Sequence, residues 1–214
     1  DVLLALMVGN IRHWKGQDIV LSAVARLAPA VRGQVHVAFA GAASPADASY
    51  VASLEATVRE AGIGAQISFL GARTDVPDLM NAADVVIHAS RVPEPFGIVV
   101  VEGLALGKPV LATHFGGPLE VLTPESGRLY DPDRPAELAA LLMTLLGDPA
   151  LRRRLASGAK ERAAHFDATE TTRAIEALYG ELLAAPPATL RLAHRVPGRA
   201  GRRRTTERVS AGSS

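Results

Sequence analysis

Cysteine is absent from the 214 residues, which removes disulfides, thiolate nucleophiles and Cys-ligated metals and is compatible with a reducing compartment. Aromatic residues are scarce, at 4% against 48% hydrophobic overall, so a core here must be built from Ala, Val and Leu. With 19 Gly and 14 Pro as well, the composition suits an α/β protein rather than an all-β module. No run approaches the roughly 18 consecutive apolar residues of a membrane span, and no signal peptide is evident. The patterns Gly-x-x-x-x-Gly-Lys-Ser/Thr, Gly-x-Gly-x-x-Gly and Gly-x-Ser-x-Gly are all missing. A Walker-type phosphate loop, a nicotinamide fingerprint and a serine hydrolase are therefore unsupported. The six histidines (His13, His36, His88, His114, His165 and His194) lack ligand spacing, and no Asp-x-Asp pair is positioned for a divalent cation, so no metal is expected. His88 and His114 lie near predicted strand ends; a structural histidine is the simpler reading of each.

Acidic residues are almost missing from one region. Residues 186–214 carry Arg191, Arg195, Arg199, Arg202, Arg203, Arg204 and Arg208 against the single acid Glu207. The total of +1 therefore divides into a basic end of +6 and a remainder of −5. Pro, Gly and Ser interrupt this end without apolar periodicity, so it reads as a disordered tail after a domain spanning 1–185. Such a tail could touch nucleic acid or anionic lipid. No aromatic residue interleaves the arginines, which favours a solvated tail with no specific nucleic-acid partner.

What remains is a regular alternation. Short apolar runs at 2–8, 35–40, 67–70, 85–87 and 110–112 read as buried strands, and Arg128-Leu129-Tyr130 as a last one. Helical spacing follows Ile19 up to Pro29, then spans 48–61, 76–83, a helix opened by Gly97, and 135–147, 149–164 and 168–184. Repeated βα units imply a doubly wound, Rossmann-like parallel sheet covered by helices on both faces, with ligands at the carboxyl ends of the strands. The loops expected there are 9–16, 41–46, 71–75, 89–97 and 113–118.

Two of these loops carry most of the chemistry. Glu94 and Glu102 lie eight positions apart in Pro93-Glu94-Pro95-Phe96-Gly97-Ile98-Val99-Val100-Val101-Glu102-Gly103, a loop leading into a helix. Carboxylates accept hydrogen bonds from hydroxyls, and a helix start offers unpaired N–H groups to phosphate, so this run suits a polyhydroxylated ligand bearing phosphate. Glu102 lies in an apolar stretch, where burial of its charge would demand a ligand hydroxyl or a basic partner. In the first loop, Arg12 and Lys15 could neutralise a diphosphate leaving group, although in isolation they read as solvated charges. Gly116-Gly117 is either a second set of phosphate-facing amides or an ordinary tight turn.

Taken in order, several blocks resemble one family: Val8-Gly9-Asn10-Ile11 with Lys15-Gly16, Phe69-Leu70-Gly71, Asp75-Val76-Pro77, Ala83-Asp84-Val85, Ser90, Glu94-Pro95-Phe96-Gly97, Glu102 through Val110, and Gly116-Gly117 with Glu120. Across residues 2–166 the chain is similar to the C-terminal, donor-binding half of glycosyltransferase family 4. That resemblance implies a GT-B fold of two Rossmann-like domains and metal-independent, retaining transfer of a hexose-type sugar from a nucleotide donor, with no cofactor beyond that substrate. It implies that Lys15 contacts the donor diphosphate, Glu94 the sugar hydroxyls and Glu102 the ribose. Phe96, Gly97, Ile98 and Val99 would bring amides to sugar and phosphate, while Gly71, Ala72 and Arg73 would border the base. Gly9 and Asn10 belong to the same binding set.

Two departures stand out. The family commonly has Arg directly after the glycine corresponding to Gly9, where this chain has Asn10, so Arg12 is a candidate substitute with a catalytic role. The chain also starts at the strand expected to open the second domain. The acceptor, whether sugar, lipid or small molecule, would then meet an N-terminal domain, and this half would transfer sugar weakly or not at all alone. The family's final helix often crosses back onto that other domain, which concerns residues 168–184. The alternatives are a noncatalytic nucleotide-sugar-binding subunit that needs a partner for the acceptor, and an enzyme of the same fold with other chemistry such as epimerisation. A cytoplasmic location is expected, with peripheral contact at the inner membrane face as a further expectation.

Overall fold

A computed structural model describes residues 2–184. Six parallel strands, β1 (Leu3–Val8), β2 (Val35–Ala40), β3 (Ile67–Gly71), β4 (Val85–His88), β5 (Val110–Thr113) and β6 (Gly127–Tyr130), form one sheet in the order β3-β2-β1-β4-β5-β6. Between and after them run α1 (Gln17–Arg26), α2 (Pro29–Arg32), α3 (Ala48–Glu60), α4 (Val76–Ala82), α5 (Ile98–Ala105), α6 (Pro118–Val121), α7 (Pro135–Gly147), α8 (Pro149–Ala163) and α9 (Ala168–Ala184). The α/β doubly wound expectation therefore holds.

Strand alternation explains why both faces need cover. Leu3, Ala5 and Met7 of β1 join a core with α1 and α7, through residues such as Ile19, Val24, Leu138 and Leu142. Leu6, between them, joins the opposite core with Met80 of α4, Val100 and Leu104 of α5 and Ala159 of α8. Successive side chains point to opposite faces of a strand, so apolar residues at every position demand helices on both sides. Proline within the first two positions of α2, α4, α6, α7 and α8 starts these helices where no N–H partner is needed. The Asp148 carboxylate, accepting the Leu151 amide at 2.8 Å, also caps α8.

Strand order reverses between β1 and β4, which pair directly. The loops leaving these two strands diverge to opposite sides and leave a crevice at their carboxyl ends. Residues 9–16 and 89–97 are therefore neighbours in space.

The chain divides into two compact units, Asp1–Thr171 and Thr172–Ser214, and the division falls inside α9. Every residue of α9 is exposed, including Ile175, Leu178, Tyr179, Leu182 and Leu183. The arginine-rich tail lies outside the described residues. Among those described, no helix is long and apolar enough to cross a membrane.

Candidate functional site

The crevice holds a cavity of about 450 Å³ lined by Val8, Gly9, Lys15, Glu94, Pro95, Phe96, Gly97, Ile98, Val99 and Glu102. An adjoining cavity of about 230 Å³ shares Val8 and Gly9 and extends past Asn10, Gly41, Ala72 and Arg73 toward Val76. One crevice thus runs from the α5 start to the loop after β3. A third hollow, near Asp84, Lys108, Arg152 and Arg153, opens at the amino ends of β4 and β5 instead. Its Lys108 ammonium is committed to the Asn81 carbonyl at 2.6 Å.

At the centre of the crevice, residues 79 positions apart meet: Lys15 Nζ donates to Glu94 Oε1 at 2.6 Å. Lys15 reaches it from a single 3-10 turn, His13–Lys15, which ends at Gly16 in the left-handed conformation. Its ammonium also lies 4.3 Å from the centre of the Trp14 ring. Both partners are largely shielded, with side chains 19% and 14% exposed, which makes the pair more than an ordinary surface bridge. Ser90 Oγ, fully buried, donates to the same Glu94 oxygen. His88 Nε2 lies 3.3 Å from it but out of line for a hydrogen bond, so neither nitrogen of this 3% exposed ring has a hydrogen-bond partner. Burial alone would raise the Glu94 pKa. The nearness of His88 and the bonds from Lys15 and Ser90 outweigh burial and hold the carboxyl down at about 2, against an ordinary 4.5.

The acid loop is fastened from behind. Gly117 N–H donates to the Glu94 carbonyl at 2.8 Å, and a Cβ on Gly117 would come within 2.2 Å of the Phe96 carbonyl oxygen. Gly116 is equally crowded, its hypothetical Cβ 2.3 Å from the Glu94 oxygen at a φ of +61°. These glycines therefore let two backbones touch. The Gly117 amide is taken and neither residue lines the cavity; together they buttress the acid loop. On the other side Phe96 packs edge-on against Phe166 with ring centres 5.8 Å apart.

Gly97, left-handed at φ +82°, precedes α5. The Ile98 and Val99 amides sit in the first turn, where no intrahelical acceptor exists, and both residues line the cavity. Glu102 lies one turn further along the same rim. It is exposed, contrary to the burial expected from its apolar neighbours, because Val100, Gly103 and Leu104 carry the buried side of α5. Solvent reaches its carboxylate, so no partner is required by burial.

Arg12 stands apart from the larger cavity. Its side chain is 45% exposed and its Nε lies 3.7 Å from Asp47. Arg73 is held by Asp75 through two bonds of 2.8 and 2.6 Å at the rim of the smaller cavity, and Gly71 ends β3 just before it. His114 bonds the Tyr130 carbonyl at 2.9 Å, in keeping with a structural role. His88 is different, being buried against Glu94; only its place two residues before Ser90 hinted at this. Among the described residues no group of three or more His, Asp or Glu is arranged to hold a metal ion.

A family model described as "Glycosyl transferases group 1" matches residues 1–162. The chain belongs to that family. It is 34% identical over 184 residues to the D-inositol 3-phosphate glycosyltransferase of Salinispora arenicola, a match covering 83% of this chain and 41% of that protein. It therefore spans about two-fifths of the length of this curated relative. Among solved structures, Anabaena HepE in complex with UDP superposes with a TM-score of 0.78 at 34% identity, over 84% of this chain and 49% of HepE. HepE has also been solved with UDP-glucose. The C-terminal domain of a group 1 glycosyltransferase from Francisella tularensis matches at 27% identity and a TM-score of 0.69, over 76% of this chain and 85% of that domain. The crevice described above thus lies in a domain of the group 1 glycosyltransferase family with the fold of these GT-B neighbours.

Proposed function

We propose that this chain is the donor-binding half of a retaining glycosyltransferase and that its crevice receives a nucleoside diphosphate sugar. One observation carries the reading: a largely shielded acid and a cation converge on one cavity beside the free amides of a helix start. Each ligand part then meets its chemical complement. The diphosphate lies against Lys15 and the Ile98 and Val99 amides, which take up negative charge as the bond between sugar and phosphate breaks. Glu94 Oε1 is crowded by its protein donors, which leaves Oε2 to accept a sugar hydroxyl. Glu102, exposed on the rim, accepts from the ribose, and the smaller cavity between Asn10 and Arg73 takes the base. The UDP and UDP-glucose complexes of HepE support this class of donor.

In this reading the positive charge comes from the protein, so transfer proceeds without a metal. The acceptor binds a second, N-terminal domain, and this half alone transfers slowly or not at all. Arg12 reaches the diphosphate by leaving Asp47. The location is cytoplasmic, and the arginines of the C-terminal segment meet an anionic membrane surface. Calorimetry with UDP, GDP and ADP and their glucose or mannose esters tests the reading. Lys15→Ala and Glu102→Ala are expected to weaken binding at least about tenfold, the loss of one hydrogen bond to a charged group, with the fold intact. Unchanged affinity in both variants, or no binding by the natural chain, overturns the assignment.

A further inference from the structure

Lys15 cannot serve two anions equally. Its Nζ is bonded to Glu94 Oε1, and it is the only cation among the described residues lining the larger cavity. A diphosphate arriving there competes with Glu94 for that ammonium. If the ammonium turns to phosphate, Oε1 loses its charged donor in a place largely shielded from water, where an underbonded carboxylate drifts or takes up a proton. Ser90 remains as one donor. The buried imidazole, 3.3 Å away and without an aligned hydrogen bond, is another group within reach.

We propose that His88 is a positioning residue for Glu94, taking over Oε1 as a hydrogen-bond donor when Lys15 turns to the donor diphosphate. The inference rests on the donor-binding reading above. Three features favour it. The ring is 3% exposed and, among the described residues, neither nitrogen makes an aligned hydrogen bond although Nε2 stands 3.3 Å from Oε1, which is costly for a residue whose role is packing alone. Its backbone is clamped, because Tyr130 Oη donates to the His88 carbonyl at 3.0 Å and Thr113 Oγ1 to the Ser90 carbonyl at 2.9 Å. A side-chain rotation therefore suffices to align Nε2–H with Oε1. Finally, Glu94 Oε1 is the ring's ionic neighbour at 3.3 Å, while Arg91, further along the same loop, is committed to Asp18. The consequence is that the carboxylate stays ionised and stationary while Oε2 engages the sugar.

The test compares each nucleoside diphosphate with its sugar ester on the full chain, as UDP with UDP-glucose and GDP with GDP-mannose, by calorimetry. In His88→Leu, affinity for the sugar ester is expected to fall about tenfold relative to the free diphosphate, whose own affinity stays within about twofold. His88→Asn, whose amide is too short to reach Oε1, behaves like Leu. His88→Gln, whose Nε2 overlies the imidazole Nε2, retains the natural ratio. Should His88→Leu fail to fold, judged by circular dichroism, the contrast between Asn and Gln decides. An unaltered ratio in His88→Asn, or equal loss for ester and free diphosphate, overturns the inference and leaves the donor site standing. Absence of binding by the natural chain overturns the donor reading itself.

Discussion

Replacing Glu94 by Gln should flatten the acid limb of the stability curve. In the folded chain this carboxyl is held at about 2, against 4.5 ordinarily. Its folded pKa lies below the unfolded one, so its contribution is fully present above about pH 4.5 and is lost as pH falls toward about 2. At ~1.4 kcal/mol per pH unit the shift corresponds to about 3 kcal/mol, and water in the adjoining cavity reduces that to about 2–3 kcal/mol. Rather more than half should have gone by pH 3. The Gln side chain fills the same space and can accept from Lys15 or Ser90, yet it carries no charge and does not titrate in this range. Urea unfolding of both chains at intervals from pH 7 to pH 2.5 measures the difference directly. The gap between them should be widest above pH 4.5 and narrow by about 2 kcal/mol on acidification. Parallel curves across that range would refute the claim that Lys15, Ser90 and His88 hold this acid ionised.

Three other outcomes follow from the geometry. Gly117→Ala forces a Cβ against the Phe96 carbonyl oxygen, so thermal unfolding should reveal a loss of about 2 kcal/mol or more together with weakened donor binding. A wild-type midpoint would show that the two backbones separate easily. Tyr130→Phe removes a donor to the buried His88 carbonyl and should cost about 1 kcal/mol in denaturant unfolding, the net worth of one hydrogen bond. Leu104→Ala empties a fully buried site on α5 and should cost about 2–5 kcal/mol, read from the shift in urea midpoint at constant slope.

Local chemistry made much of this molecule legible. The apolar runs from Leu3 to Val8 and from Val85 to Ile87 are short and uninterrupted by polar residues, as central strands are, and the helices between them keep a 3.6-residue period. The 3-10 turn at His13–Lys15 and the one-turn helices α2 and α6 escaped that reading, since elements of three or four residues carry no period. The exposure of Glu102 shows a related limit of sequence. Apolar neighbours in sequence do not establish which side of a helix faces the core, and α5 turns Val100 and Leu104 inward while Glu102 faces water.

By itself, then, the sequence determined the alternating elements, the loops at strand ends, the presence of acids and cations within those loops, and the family. Tertiary structure alone decided how they combine. Lys15 and Glu94 are 79 residues apart, and only the pairing of β1 beside β4 brings their loops together. The same folding buries His88 without a hydrogen-bond partner, commits the Gly117 amide to the Glu94 carbonyl and pairs Arg12 with Asp47 outside the larger cavity. Periodicity is a property of neighbours along the chain and survives in one dimension. Hydrogen-bond partnership and desolvation belong to neighbours in space, which exist only once the sheet has formed.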